Sequence, residues 1–465
     1  MNYFKKSTYA LLFLALPLLL AGCKKDTKPV GYSNPNPAKD TPMYETALSE
    51  FTGLYRLSPN SDGTFYALAS RNYASSVLKI DGSGTVLGTK DLGFSAGRCM
   101  VKTGESIMMV GSKGYHSSPY TMADMGMVAV VDPSLDFVGM TVTETQYKIE
   151  LKTLAQDSED PTLFYAGGWA IDNDYIQYPY ICTIEYRDGL LSKIHGKVFH
   201  GSNDAKCRII GMVEKKVSDQ KDFIVEMIHY SNADDPEDEE SCTVHIAKLN
   251  YFDEEWGWGH STWDVAIDGP LGDSYASNNS IDSDDENIYF FGYCNDEKTP
   301  KPVDGYWNSG CVATVNWREG REVWTKVVSI TSKDEVFHQG QLINGCLYAC
   351  GGHSGLRYPS TKMRFYNGLV AKFDLSGALL DYKTFGASDC SSLIGHFVKD
   401  LNGNLVCVGW IGENTESGRL LYMGWFLKTD FFTNSAKPDA SKRDENQDEA
   451  LNQCCSHGLH SLAND

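Results

Sequence analysis

The chain has 465 residues, with 61 Asp and Glu against 41 Lys and Arg, a formal charge of −20. That balance leaves no basic stripe to displace the counterions of a phosphate backbone, so nucleic-acid binding is excluded as a function class. The length suits two or three ordinary domains or one large one, and scarce helix signals favour a large all-β body.

The first residues read as an export signal. Asn2 to Lys6 carries two lysines, and Ser7 to Leu20 is apolar apart from its first two hydroxyls. The run is shorter than the roughly 18 to 20 residues needed to cross a bilayer core. The Leu20-Ala21-Gly22-Cys23 sequence that follows resembles the lipobox of bacterial lipoproteins. The resemblance implies cleavage before Cys23 and acylation of Cys23, which makes the membrane a partner through a lipid anchor. Several acyl chains anchor stably where one is marginal. Lys24 rather than Asp follows the cysteine, which in that family implies the outer membrane and leaves open whether the protein faces the periplasm or the surface. The expected division is a signal peptide over 1–22, a lipidated cysteine and flexible linker over 23–43, one domain over 44–430 and a polar, disordered tail over 431–465.

Within 44–430 an apolar run closing on an acid or amide returns seven times, every 51 to 66 residues: Val77 to Asp81, Met127 to Asp132, Tyr180 to Glu185, Val244 to Asn250, Cys311 to Asn316, Leu369 to Asp374 and Trp425 to Asp430. Most copies follow a second apolar run ending in glycine, as in Met109-Val110-Gly111, Tyr165-Ala166-Gly167, Phe290-Phe291-Gly292, Ala349-Cys350-Gly351 and Cys407-Val408-Gly409. Repeats of this length built from short strands and Gly/Asp/Asn turns select a β-propeller. The sixth unit predicts strand A over Gln339 to Ile343, B over Cys346 to Gly351, C over Leu369 to Asp374 and D over Ala378 to Thr384, with tight turns at Asn344-Gly345 and Leu375-Ser376-Gly377. After Asp430 no strand D remains, whereas Tyr44 to Phe51 is a spare segment of the right length. The expected fold is therefore a seven-bladed β-propeller closed by an N-terminal strand.

The stretch from Asp374 through Gly377 to Thr384-Phe385-Gly386 also resembles the propeller repeats of bacterial lipoproteins, which read Lys-hydrophobe-Asp, then Gly, then an outer strand ending in Phe-Gly. The likeness covers Leu54 to Asp430 and implies blade turns and packing without an activity.

Loops joining B to C are long in six units: Ser112 to Gly126, Gly168 to Gln177, His229 to Ser241, Tyr293 to Gly310, Gly352 to Gly368 and Trp410 to Leu421. Long insertions on one face of a repeat scaffold mark its working surface. They carry Tyr115, Trp169, Tyr175, Tyr306, Trp307, Tyr358 and Trp410 among interleaved polar residues. Flat aromatic faces beside polar groups suit a glycan; the same residues suit a protein partner or simply pin the loops to the rim. The channel is the second candidate, with Arg98, Arg208, His338 and His396 near the starts of inner strands.

Cys294 and Cys311 flank one B to C loop and form the disulfide candidate. Asp282 to Asn287 and Asp400 to Asn404 space oxygen ligands closely, but both fall where an A to B turn selects Asp, Asn and Gly without an ion. Cys454, Cys455, His457 and His460 lie in a tail too polar to preorganise them. No metal and no cofactor is expected, and no local catalytic motif occurs. The expected function is a binding or scaffolding module for a glycan or protein ligand on the outer membrane. The alternatives are a propeller glycoside hydrolase or lyase acting on an extracellular polysaccharide, and a periplasmic assembly subunit of an outer-membrane machine.

Overall fold

The computed structural model describes residues 40–431, apart from 72–73, 94–95, 114–124, 143–146, 173–175, 200–206, 218–219, 231–241, 253–256, 268–273, 276–278, 297–306, 329, 331–334, 358–363, 387–390 and 415–419. The signal peptide, Cys23, most of the linker and the tail beyond 431 lie outside the described residues.

Among the described residues there are 29 strands and no helix. Blade one comprises β2 (Gly53–Pro59), β3 (Phe65–Arg71), β4 (Ala74–Ile80) and β5 (Val86–Asp91); blade two β6 (Ala96–Thr103), β7 (Ser106–Lys113), β8 (Met125–Val131) and β9 (Phe137–Val142). Blade three holds β10 (Lys148–Gln156), β11 (Leu163–Ile171), β12 (Gln177–Arg187) and β13 (Leu190–Val198); blade four β14 (Cys207–Val217), β15 (Gln220–Tyr230), β16 (Cys242–Phe252) and β17 (Gly257–Ile267). In blade five the inner strand is split into β18 (Ser274–Tyr275) and β19 (Ile281–Ser283), followed by β20 (Asn287–Asp296), β21 (Trp307–Asn316) and β22 (Arg321–Val328). Blade six is β23 (Glu335–Ile343), β24 (Cys346–Arg357), β25 (Arg364–Phe373) and β26 (Leu379–Phe385). Blade seven takes β27 (Ser391–Lys399), β28 (Leu405–Asn414) and β29 (Leu420–Thr429), and its outer strand is β1 (Tyr44–Leu48) from the other end of the chain.

The ring is a closed seven-bladed β-propeller. Pairing of β1 with β29 runs from Tyr44 opposite Lys428 to Leu48 opposite Gly424, and the Trp425 indole N–H donates to Glu45 at 2.8 Å. Asp40 adds a second tie, accepting from the Thr384 N–H of blade six at 2.9 Å. Seven apolar clusters lie one at each interface between blades, and the cluster joining blades seven and one contains Phe51, Leu54, Val408 and Phe426. Successive side chains of a strand point to opposite faces, so each inner strand feeds two of these interfaces.

Both repeating signatures of the sequence have a physical cause. The acid at the end of strand C caps the turn into strand D. Asp81 accepts from the Ser83 and Thr85 amides, Asp132 from Ser134 and Asp136, and Asp374 from Ser376 and Ala378. Each turn places its fourth residue at positive φ, +92° at Gly84, +65° at Leu135 and +80° at Gly377, the type I turn with a left-handed residue that hairpins favour. The glycine closing strand B faces a β-bulge in strand A. Six inner strands carry such a bulge, each skipping one residue of the ladder: Tyr55, Arg98, Lys152, Ile210, His338 and Gly395. At Gly351 and Gly409 a Cβ would stand 1.8 Å from the carbonyl oxygens of Val336 and Leu393, so no larger residue fits beside the bulge.

Two expectations are corrected. Strands B and C extend well into the segments read as loops: β15 runs to Tyr230, β24 to Arg357 and β28 to Asn414. A two-stranded ribbon pairs the backbone N–H and C=O groups that an irregular loop would leave to water. Cys294 and Cys311 are thiols, both fully buried in neighbouring strands. Cys294 stands opposite Ser309 and Cys311 opposite Gly292, so they sit diagonally across the ladder, and no disulfide joins them.

Candidate functional site

Strand A starts, B ends, C starts and D ends on the face that carries the long B to C connections. There the inner strands of blades two, three and four bring three cations together. Arg98, the bulged residue of β6, places Nε 2.9 Å from Glu150 Oε1 of β10. Lys152, the bulged residue of β10, places Nζ 2.7 Å from the same oxygen. Its ammonium also lies 4.4 Å from the ring centre of Trp169 in β11, and the guanidinium of Arg208 in β14 lies 4.6 Å from that ring. Arg208 Nε donates to Gln177 Oε1 at the start of β12, while Gln177 Nε2 is buried and has no hydrogen-bond partner.

A bulge is what makes this convergence possible, because it re-aims a side chain out of the alternating pattern. Burial alone would raise the Glu150 carboxyl, but Lys152 and Arg98 hold it down at about 2, so it is ionised. Burial, reinforced by the charge of Arg98, pulls Lys152 down to about 7. Among the described residues Glu150 is the carboxylate that Arg98 and Lys152 contact, and the Gln177 amide nitrogen stands beside them without a hydrogen-bond partner. The indole lies under cations as an aromatic does in a cation–π contact.

Of the residues expected from sequence, Trp169, Arg98 and Arg208 are thus brought into one cluster. Trp169 is 7% exposed. It sits in a strand beneath Lys152 and Arg208, so its role is to hold the cations and not to offer an open stacking face. Trp410 lies in β28 of blade seven, edge-on to the half-exposed Tyr422 with ring centroids 4.9 Å apart. His338 is the bulged residue of β23, held down at about 4 by burial. His396 in β27 is held well below its ordinary value by burial and then by Arg56, and its Nδ1 accepts from the Leu57 N–H at 3.3 Å. Both histidines are neutral and belong to blades six and seven. Tyr115, Tyr175, Tyr306 and Tyr358 lie outside the described residues, as does the side chain of Trp307, whose backbone opens β21.

In blade one burial holds the guanidinium of Arg56 below its ordinary range. The wholly buried Glu226 accepts from the Ser280 N–H at 3.1 Å and from the Ser280 hydroxyl. Burial pushes its carboxyl up to about 8. Glu150, Lys152, Gln177 and Glu226 were not singled out from sequence, since no local pattern marks them. The two acidic turns whose oxygens are closely spaced direct them at their own backbone: Asp284 Oδ1 accepts from Glu286 and Asn287, and Asp400 Oδ1 from Asn402 and Asn404. A groove of about 480 Å³ between Ala47–Phe51 and Val86–Thr89 lies at the outer seam of blades seven and one. Its one acid, Glu50, is 3.8 Å from Arg71, and it gathers no convergent polar set.

The fold and this site define the class: a closed seven-bladed β-propeller with a cationic cluster on its long-loop face. No family model matches the chain, and no curated protein sequence matches it. Among solved structures, Drosophila Plexin A in complex with Semaphorin 1b is similar over 85% of this chain and 88% of its own at 9% identity and a TM-score of 0.45. Streptogramin B lyase is similar over 83% and 98% of the two chains at 8% identity and a TM-score of 0.41. The β-propeller domain of the Trilobed protease from Pyrococcus furiosus is similar over 85% and 99% at 10% identity and a TM-score of 0.40. Likeness at these identities is one of fold alone.

Proposed function

We propose that the protein is a binding module of the outer membrane, anchored by lipid on Cys23, that takes an acidic saccharide at the cationic cluster of its long-loop face. The observation that carries this reading is the convergence of Arg98, Lys152 and Arg208 around Trp169, beside a buried Gln177 amide nitrogen without a hydrogen-bond partner. A carboxylate or sulfate on a glycan would accept from the Gln177 amide and the Lys152 ammonium, with the Arg208 guanidinium adjacent. Lys152 is 7% and Gln177 3% exposed. A group projecting from a sugar chain reaches such recessed donors, whereas a flat acidic protein surface does not. The anchor rests on Leu20-Ala21-Gly22-Cys23 and on Lys24.

One observation favours the catalytic alternative, a hydrolase or lyase: Lys152, held at about 7, has the proton affinity that general acid–base chemistry uses at neutral pH. A panel of neutral and acidic oligosaccharides, scored for both binding and product release, separates the two. Acidic members should bind, and Arg208→Ala should weaken them about ten- to a hundredfold, the scale of a lost hydrogen bond to a charged group. Affinity should fall between pH 6 and 8.5 as Lys152 loses its proton. Shortened products would replace the binding reading with the enzyme, and preference for neutral sugars would overturn it.

A further inference from the structure

The four strands of blade four place Cys207, His229, His245 and Asp264 in a row near its long-loop end. Cys207 stands opposite His229; His245 stands opposite Met227, two residues before His229; Asp264 stands opposite Ala247, two residues after His245. This spacing puts all four on the side of the blade where Met227 and Ala247 pack with Tyr165 and Ile181 of blade three. The two imidazoles are stacked, with centroids 3.8 Å apart and planes at 23°. His245 Nδ1 is 2.8 Å from Asp264 Oδ1, and His229 Nδ1 is 3.1 Å from Cys207 Sγ. His229 Nε2 is buried and has no hydrogen-bond partner.

We propose that His229, His245 and Asp264 hold a divalent transition-metal ion of the zinc class, with Cys207 orienting the His229 ring. One nitrogen of each histidine and one Asp264 oxygen lie within 4.8 Å of one another. Three such atoms share a centre at most about 2.8 Å from each, and a contraction of less than about 1 Å brings them to the 2.0–2.2 Å of zinc–nitrogen and zinc–oxygen bonds. Paired imidazoles select zinc-like ions and disfavour calcium and magnesium, which take oxygen ligands. A ligating histidine characteristically has its other ring nitrogen held by a second group, and the Cys207 contact supplies that hold. The buried, unpartnered Nε2 of His229 is the nitrogen left to face the ion. If the ion takes His245 Nδ1, the ring carries its proton on Nε2, and the ion bridges the 2.8 Å between Nδ1 and Asp264 Oδ1. With three protein ligands and a half-exposed carboxylate, one position stays open to solvent.

The test is calorimetric titration of the intact, chelator-stripped chain with Zn²⁺, followed by absorption spectroscopy with Co²⁺. One ion should bind per chain and raise Tm, and Co²⁺ should give the visible bands of a four-coordinate site. Asp264→Asn, on a strand surface, should keep the circular-dichroism spectrum and lose at least tenfold in zinc affinity, as should His245→Gln. No stoichiometric binding would overturn the proposal. So would zinc binding unaltered by both variants, which would place the ion elsewhere, including at Cys454, Cys455, His457 and His460.

Discussion

Gly351 and Gly345 sit six residues apart in blade six and are glycine for different reasons. Gly345 has φ +76° with nothing within 4 Å of a Cβ, so Gly345→Ala costs only the left-handed backbone, about 1 kcal/mol. Gly351→Ala would drive a Cβ into the Val336 carbonyl at 1.8 Å, and we expect about 2 to 4 kcal/mol, since the bulge itself has to move. Chemical denaturation of the two variants checks the order, and equal losses would dismiss the account of the repeated glycine. Glu226 supplies a pH prediction. Its folded carboxyl is raised to about 8 from 4.5 by burial, so below pH 4.5 both states are protonated and the native environment is satisfied. Between pH 4.5 and 8 the unfolded chain ionises while the folded one keeps its proton, and stability falls as pH rises. Glu226→Gln keeps the size and an acceptor for Ser280 without titrating. Its Tm should match the wild type near pH 4.5 and exceed it near pH 9.

The closing strand is an element whose effect exceeds its length. It covers the edge of β29, and its Glu45 gives the fully buried Trp425 its indole partner. It also touches blade one, where Thr46 donates to the Ser83 carbonyl at 3.2 Å and a Cβ on Gly84 would meet Thr46 and Phe426 at 2.8 Å. Deleting Tyr44–Leu48 exposes an unpaired sheet edge and opens the seam between blades seven and one. Tm should fall by about 5 to 10 °C or more. An unchanged Tm in differential scanning calorimetry would show that the seven interface clusters close the ring without the strand.

For the whole molecule, location and function meet at the N-terminus. The linker and lipid proposed at residues 23–43 would tether a body of net charge −20 near an anionic surface without drawing it onto that surface. In cells fed a labelled fatty acid, Cys23→Ala should lose the label and move the protein to the soluble fraction, and label retained on the variant would refute the anchor. Protease shaving of intact cells then separates a surface protein from a periplasmic one.

Blade number, turn positions and the closing strand were all legible in the sequence, because each is a local pattern repeated at a fixed spacing: an acid to cap a turn, a glycine to face a bulge, a spare strand at one end. The sites were legible only in part. Arg98 and Arg208 stood out as polar residues on inner strands, but nothing local marked Lys152, which the bulge in β10 aims at Trp169. Trp169 itself, read as a loop aromatic, lies in a strand beneath two cations. His229, His245 and Asp264 sit on three successive strands with no motif spacing, and only the register of blade four lines them up. The physical reason is one of range. Turn and strand preferences act between residues a few positions apart, whereas a binding site joins side chains from different strands and blades, and ladder register, bulges and ring closure alone decide which of those meet.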